Sequence, residues 1–546
     1  MQRVRTLADG IPNTNNTVWL VLLVCLCALA IRMWGITFGL PGIDHGDESE
    51  VVNHAVRFGS GDLNPHRFQY GSLVQYLLFI IYGCYYVVGA IAGRHDSVHQ
   101  FAVQFVSDPS MFYILARGLS ACFGAATVWI TYAIGKRVKG EGAGIVGALL
   151  LALCYQHVIH SHYATVDAAV TFVFSCAVYR SVMLLSDRRL GMYLYAGFFT
   201  GLAAGTKFNG SIALIAFATA HFSNAGRGRL ADKLFSREWL LGLAAVIGGH
   251  ALACPYFYID FIAASGDISA LQSFHATTGF NLWFYIRDII QDYWGMPAGA
   301  LCVVGMTRYV FTRKAGLRVI ALTALSVILF ASLHRYIEAK YILCAFPLTA
   351  VLGAALLTDL LSGIKTRSRS PLVLLMLLLL IMHPLYLILQ WDAERGSKSI
   401  TLESKEWIEQ HIPSGSKILL DNAGNAGPKL ANAPDNVKRQ YERARAHGLL
   451  KAEFLKLLLE IKPAVYYDIV EIDSSAGSRS DDYQRYRLWQ DTDFIGEPVS
   501  YYCDRGYDYI VVTHRYFQAM KPGFELIKDF TRGQKGIRVY QVSCGL

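Results

Sequence analysis

Charge is what this sequence has too little of. Asp, Glu, Lys and Arg make up 17% of its 546 residues, where a soluble chain carries about 25%. The shortfall is confined to residues 17–390, where apolar runs of 16–24 residues recur. Runs of this length match the hydrocarbon thickness of a bilayer, so a soluble fold is excluded for the first two thirds of the chain. The eleven cysteines include no Cys-x-x-Cys pair, which removes the common zinc and redox spacings. Most lie in apolar runs, where Cys acts as a small hydrophobe. Cys503 and Cys544 lie in the tail, and two readings stay open for them: a disulfide if the tail is extracytoplasmic, or two separate thiols. The first apolar run is too long for a cleaved signal and lacks a small-residue cleavage pattern. No internal repeat is visible and the runs are clean in the middle, unlike transporters built from repeated halves with broken helices.

What is there points to a multi-pass α-helical membrane protein of about 11 spans plus juxtamembrane helices, followed by an extracytoplasmic α/β domain. The net charge of +9 sits mostly in short loops between apolar runs, as the positive-inside bias requires, and does not indicate nucleic acid. Arg3 and Arg5 put the N-terminus in the cytoplasm. The spans then fall near 17–39, 111–134, 143–160, 163–184, 191–206, 208–222, 238–254, 296–312, 317–333, 341–360 and 371–390. This alternation keeps the Lys136-Arg137-Lys139 loop and every later basic loop cytoplasmic only if 70–93 does not cross. Its four tyrosines (Tyr76, Tyr82, Tyr85, Tyr86) suit an interfacial position. The division is a membrane domain over 1–390, with an outer loop over 40–110, and a soluble domain over 391–546. In the tail, helices are predicted at 401–411, opening with Thr401, and at 452–462. Strands are predicted at 417–421, 464–470, 507–513 and 537–542, which makes a small α/β domain.

With this topology the unusual polar residues gather on the outer side of a plasma (inner) membrane. The loop 40–69 holds Asp44, Asp47, Glu48, Glu50, His45 and His54. The loop 157–167 holds His157, His160, His162 and Asp167, and Lys207 stands alone in GTKFNG. Tyr256, His275 and Tyr293 fall in or beside the loop 255–292, and HRYIEAKY (334–341) holds Arg335, Glu338 and Lys340. Ionisable residues at the edge of hydrocarbon are functional candidates. Asp47 and Glu48 lead, because crowded acids repel one another and raise their pKa values. Lys207 reads equally as a helix C-cap. The three histidines are open between a metal site and a solvated loop, since their spacing fits no standard zinc site. At an interface, aromatics such as Trp283, Phe284, Tyr285, Tyr293 and Trp294 line a lipid path or simply anchor.

Outer carboxylates beside outer cations suit a reaction that needs a base and a stabilised anionic leaving group. Glycosyl transfer from a polyprenyl-phosphate sugar has both needs: a carboxylate takes the acceptor's proton, and Lys or Arg meets the departing phosphate. A transporter or flippase of lipid-linked saccharides is the alternative.

Several segments resemble a family: the acidic pair Asp47-Glu48 in DHGDESE, GDLNPHRFQYGSLVQYLL (61–78), ARGLSACFGAATVWITYAIGKRVKG (116–140), SHYATVDAAVTF (161–172), GLAAGTKFNG (201–210) and HRYIEAKYILCAFP (334–347). In this order they resemble the GT-C type polyprenyl-phosphate-dependent glycosyltransferases, the group of protein O-mannosyltransferases and lipid A aminoarabinose transferases. The resemblance implies an inverting glycosyltransferase of the cell envelope with Asp47 as base and Glu48 in support. Asp44 is an extra acid that competes for the role. It implies donor-phosphate contacts from Lys207, Arg335, Lys340 and Arg67, and a juxtamembrane element at 70–93. The loop before that element departs from the family's proline pattern, reading Gln69-Tyr70-Gly71-Ser72. His162, Asp167, Tyr256, His275 and Tyr293 are the substrate-binding candidates. The expected partners are a polyprenyl-phosphate sugar, membrane lipids and an acceptor lipid, glycan or protein. No cofactor is expected, although Asp44, Asp47, Glu48 and His45 are the residues that would hold a divalent ion.

Overall fold

The computed structural model describes residues 14–43, 45–224, 229–276, 279–362, 366–421, 427–449, 451–472, 495–514, 517–518, 520–521, 523–532 and 536–544. The chain divides into two compact units. One comprises Met1–Ile36, Val51–Ile81 and Leu115–Asp392, and the other Thr37–Glu50, Tyr82–Ile114 and Ala393–Leu546.

The first unit is a helical bundle. Among the described residues, five stretches are long and apolar enough to cross a membrane: Asn16–Met33, Leu73–Ile91, Ser110–Val138, Leu343–Leu361 and Val373–His411. Two bent pairs raise this to seven if each is one span. The expected figure of about eleven also draws on the helices Asp167–Met183, Leu190–Thr206 and Arg237–Ala253, each of 17 residues, the lower limit for crossing. It further draws on the still shorter helix Ala213–Asn224. The segment expected to lie along the surface forms the 19-residue helix Leu73–Ile91, which is long and apolar enough to cross. Length and composition do not separate the two dispositions.

Burial orders the bundle. Leu343–Leu361 is largely buried, while the apolar part of the helix from Val373 is largely exposed, so the former is central and the latter peripheral. The exposed Leu374, Leu375, Leu378 and Leu379 of the peripheral helix form a lipid-facing surface, since apolar side chains gain nothing by leaving hydrocarbon.

Close helix contact is built from glycine. Helix Leu190–Thr206 carries Gly197, Gly201 and Gly205 at four-residue spacing, a small-residue stripe along one face. A Cβ at Gly197 would meet the Gly242 carbonyl oxygen at 2.0 Å, and one at Gly201 would meet the Val246 oxygen at 2.0 Å. The facing helix Arg237–Ala253 answers with Gly249, 2.2 Å from the Phe198 oxygen by the same measure. Where helix Glu141–Ala152 breaks by 57° into Tyr155–His162, its last carbonyls lose their regular i+4 helical bonds. The buried Arg32 meets them, donating to the Ala152 oxygen at 3.2 Å and the Leu151 oxygen at 3.4 Å, and contacting His157 Nδ1 at 2.9 Å.

The second unit carries a five-stranded sheet in the order β2-β1-β3-β5-β4. Its strands are β1 (Lys417–Asp421), β2 (Asp468–Ile472), β3 (Tyr509–Thr513), β4 (Glu525–Asp529) and β5 (Ile537–Gln541). β1 runs parallel to β2 and β3, while β5 is antiparallel to β3 and β4. Side chains alternate between faces. Ile418, Leu420, Val511 and Val539 pack with Ile408 and Tyr467, and Leu419, Ile510, Val512 and Tyr540 with Tyr502 and Tyr507. Both faces are therefore covered, which is why the central strands read as apolar runs. Four strands stand where the periodicity puts them, although the second begins only at Asp468. The first helix spans Ile400–His411 and is capped by Ser399, whose side chain accepts from Leu402 N, rather than by Thr401. Strand β4 and helix Pro434–Ala446 were not anticipated. Cys503 and Cys544 are joined as a disulfide. The amphipathic helix Val98–Ser107, capped by Ser97, belongs to this unit, and His99 meets Glu460 at 2.8 Å.

Candidate active site

In the first unit the glycine ladder delivers one cation to a defined place. Helix Leu190–Thr206 stops at Lys207, whose extended backbone (φ −155°, ψ 138°) leads into a 3-10 turn, Phe208–Ile212. The ammonium donates to Asp167 Oδ1 at 2.6 Å, with only 11% and 4% of the two side chains exposed. Thr165 donates to the second oxygen, Asp167 Oδ2, at 3.0 Å. The rings of Tyr70 and Tyr341 each stand 5.8 Å from Lys207 Nζ, within reach of a cation–π contact. Tyr70 is placed by its neighbour: a Cβ on Gly71 would lie 1.7 Å from the Gly205 carbonyl oxygen, so the loop lies directly on the end of the glycine helix. That loop is braced from both sides. Asp62 pairs with His66 at 2.6 Å, and this hydrogen bond holds its carboxyl below the usual range. Asn64 donates to Asp260 at 3.1 Å, and Asp267 accepts from Phe68 N at 2.6 Å.

The segment 334–341 closes on the same place. Lys340 pairs with Glu338 at 2.8 Å, the acid being 47% exposed, and its Nζ stands 5.7 Å from the Tyr341 ring. His334 stacks on Tyr341 at 5.2 Å. His275 meets His334 edge-on at 5.1 Å and Tyr341 at 5.5 Å. Backbone bonds fix the arrangement: Arg335 N donates to the His275 oxygen at 2.9 Å, and Asn281 Nδ2 donates to the His334 oxygen at 2.8 Å. Burial, followed by His334 and the ammonium groups of Lys207 and Lys340, pushes the His275 imidazole down to about 4. It is neutral at physiological pH, and its Nδ1 has no hydrogen-bond partner among the described residues.

Chemically this is a cage of two ammonium groups and aromatic rings, with each ammonium already matched to a carboxylate. The two pairs differ in what an incoming anion meets. Asp167 is buried and doubly hydrogen-bonded, whereas Glu338 is half in solvent and is the more easily displaced of the two.

The structure thus brings together Lys207, Asp167, His275 and Lys340. Arg335 is exposed, with its guanidinium over Tyr336 at 5.7 Å. Arg67 donates to Gln69 at 3.0 Å. Tyr256 packs beside Phe68 and Cys254. His162 is fully buried, its imidazole nitrogens 2.9 Å from the Val158 oxygen and 3.1 Å from the Trp34 oxygen. Tyr293 lies in the core against Phe346, and its hydroxyl donates to Asp288 at 3.4 Å. The exposed Trp283 and Phe284 contrast with the buried Tyr285, Tyr293 and Trp294, so only the first two are open to lipid. Tyr70 and Tyr341 were not singled out from the sequence. Tyr341 follows Lys340 and Tyr70 lies three residues after Arg67, both of which were, and that nearness is the one signal the tyrosines carry.

The acidic pair belongs to the second unit. Asp47 and Glu48 occupy the first turn of helix Gly46–Arg57, where the helix dipole favours carboxylates. Asp47 is half-buried and Glu48 fully buried, so Asp47 is the more accessible acid. Asp44 lies outside the described residues. Among the described residues no three His, Cys, Asp or Glu side chains converge as a metal centre requires.

Comparisons with known proteins agree with this architecture. Residues 113–249 match the family model of dolichyl-phosphate-mannose-protein mannosyltransferases. Among solved structures, ArnT from Cupriavidus metallidurans in the apo state is 14% identical, with 97% of this chain and 99% of that chain covered and a TM-score of 0.53. The same protein bound to undecaprenyl phosphate is 13% identical, with the same coverage and a TM-score of 0.52. The apo oligosaccharyltransferase of Archaeoglobus fulgidus is 11% identical over 92% of this chain and 70% of that chain, at a TM-score of 0.50. No curated protein sequence matches the chain. The likeness to GT-C type polyprenyl-phosphate-dependent glycosyltransferases thus holds in fold along nearly the whole chain and in sequence over the matched residues.

Proposed function

From that likeness and the cationic cage we propose that the protein is an inverting glycosyltransferase, moving a sugar from a polyprenyl-phosphate donor to an acceptor hydroxyl at the outer face of the plasma membrane. The observation that carries this reading is the Lys207–Asp167 pair set between Tyr70 and Tyr341, with Lys340 held by a displaceable acid. A lipid-linked donor keeps its phosphate at membrane level, and a desolvated, preorganised cation is what a departing phosphate needs. In this mechanism the acceptor oxygen bonds to the anomeric carbon as the bond from that carbon to the phosphate oxygen breaks. The bonding pair leaves on the polyprenyl phosphate, whose charge Lys340 and Lys207 meet. Asp47, in the first turn of its helix, takes the acceptor's proton. Arg335 and Arg67 are further donor-phosphate candidates, and His275, neutral at working pH, serves as a hydrogen-bonding group toward the sugar. The Cys503–Cys544 disulfide supports placing the tail in an oxidising, extracytoplasmic compartment.

The test is transfer of radiolabelled sugar from a panel of polyprenyl-phosphate sugars in acceptor-containing membranes, comparing wild type with Asp47→Asn. The mutant is expected to lose about 10²–10⁴-fold or more in rate while keeping its melting temperature. A mutant with the wild-type rate removes Asp47 from the role of base. A wild-type protein that moves sugar from none of the donors removes the reaction class.

A further inference from the structure

The tail contains a cavity that the transfer chemistry does not use. Helix Pro434–Ala446, helix Lys451–Leu458 and the edge strand β2 enclose about 540 Å³, within the size range of small-molecule sites. One wall is a polar stripe. Asn436, Gln440 and Arg443 line the cavity at helical spacings of four and three, which put them on one face. At the foot of the stripe an amide pair is locked in orientation. Asn436 Nδ2 is directed at Asn432 Oδ1 (3.0 Å), Asp468 Oδ1 (3.3 Å) and the Ile469 oxygen (2.9 Å). Asn432 Oδ1 also accepts from the backbone of Ala433 and Ile469. These bonds fix both amides and leave the Asn436 carbonyl as an acceptor and the Asn432 amino group as a donor outside this network, on two residues that line the cavity. The facing wall carries Phe454, 41% exposed, an apolar surface that the fold itself does not cover. Among the described residues that line the cavity, Arg443, Lys451 and Lys462 stand against Glu471, with Asp468 at the foot of the stripe bonded to Asn436.

A donor–acceptor pair, an uncovered aromatic face and a cationic margin are complementary to one kind of ligand. Neighbouring sugar hydroxyls donate and accept side by side, a pyranose ring presents an apolar face to an aromatic, and a carboxylate or phosphate substituent is met by Arg. We propose that this cavity binds an anionic saccharide segment of the acceptor, apart from the transfer chemistry. The proposal rests on the glycosyltransferase reading for the word acceptor, but the binding itself requires no turnover. A segment held there lets the protein keep its acceptor across successive encounters with donor, because a second point of attachment makes the next encounter intramolecular.

The experiment uses the full-length protein in nanodiscs and fluorescence anisotropy with labelled tetragalacturonate, competed by maltotetraose and by tetraglutamate. Tetragalacturonate is expected to bind at least tenfold more tightly than either competitor. Binding should weaken at least tenfold in Arg443→Ala and in Phe454→Ala, and stay unchanged in Lys438→Ala, whose side chain is exposed and does not line the cavity. If Phe454→Ala lowers the melting temperature, Gln440→Ala replaces it, with the same loss expected. Equal binding by wild type and the lining variants overturns the proposal. So does tetraglutamate binding as tightly as the sugar acid, because charge alone then explains the affinity, or maltotetraose doing so, because the cationic margin then does nothing. Because no donor is present, a protein that binds the sugar acid yet transfers nothing separates failure of the function from failure of the site.

Discussion

Lys207 and Asp167 are worth more as a pair than either is alone. Removing one partner of a buried ion pair leaves an uncompensated charge at a cost of about 3–5 kcal/mol, and these side chains are 11% and 4% exposed. Lys207→Met is therefore expected to lower stability by about that amount, read as thermal denaturation in detergent. The double variant Lys207→Met/Asp167→Asn should recover most of the stability and none of the transfer activity. Recovery of both would leave the pair with a structural role alone. The sequence showed Lys207 as a lone charge that read equally as a helix C-cap, and carried no sign of a carboxylate partner, because Asp167 is 40 residues away and nothing in the local pattern links them. Tyr70 and Tyr341 were missed for a related reason: a tyrosine beside a membrane segment is ordinarily an interfacial anchor.

At the scale of elements, the position of Lys207 is inherited from glycine. Helices Leu190–Thr206 and Arg237–Ala253 approach until a Cβ on Gly201 would stand 2.0 Å from the Val246 oxygen. Backbone does not yield as a flexible side chain does, so Gly201→Leu must separate the helices. The expected result is a loss of transfer of at least tenfold, with KM for the donor raised, since Lys207, Tyr70 and the Gly71 contact all hang from this helix end. Unchanged kinetics in a folded Gly201→Leu variant would show that the helix spacing does not set the cage. Apolar runs made the helices legible, and they lie within a few residues of their expected places. The disposition of Leu73–Ile91 was not legible, because a 19-residue apolar helix satisfies both a crossing and a surface position. The bend between Glu141–Ala152 and Tyr155–His162 was also invisible, because the sequence there reads as one continuous run and Arg32, which caps the broken end, is more than a hundred residues away.

At the scale of the molecule, the tail was legible as an α/β domain because its central strands are apolar runs set between helical segments. Strand β4 escaped notice because its side chains are largely exposed and its pattern is polar. The disulfide closes the end of the sheet, linking residues 41 apart, for which loop-closure entropy gives about 4 kcal/mol. Cys503→Ser is expected to lower the tail's unfolding midpoint accordingly, measured by urea titration, and reductant should reproduce the effect in wild type without changing the variant. A variant as stable as wild type would mean that the bond constrains little. The unit that carries this sheet also contains Thr37–Glu50 and Tyr82–Ile114, so these earlier segments must wait for a much later one. During synthesis the acidic turn at Asp47 leaves the ribosome some 350 residues before Ala393 begins the segment that completes its unit. A long sequence separation of this kind slows assembly. A nascent chain therefore holds its acidic turn long before the residues that complete its compact unit have been made.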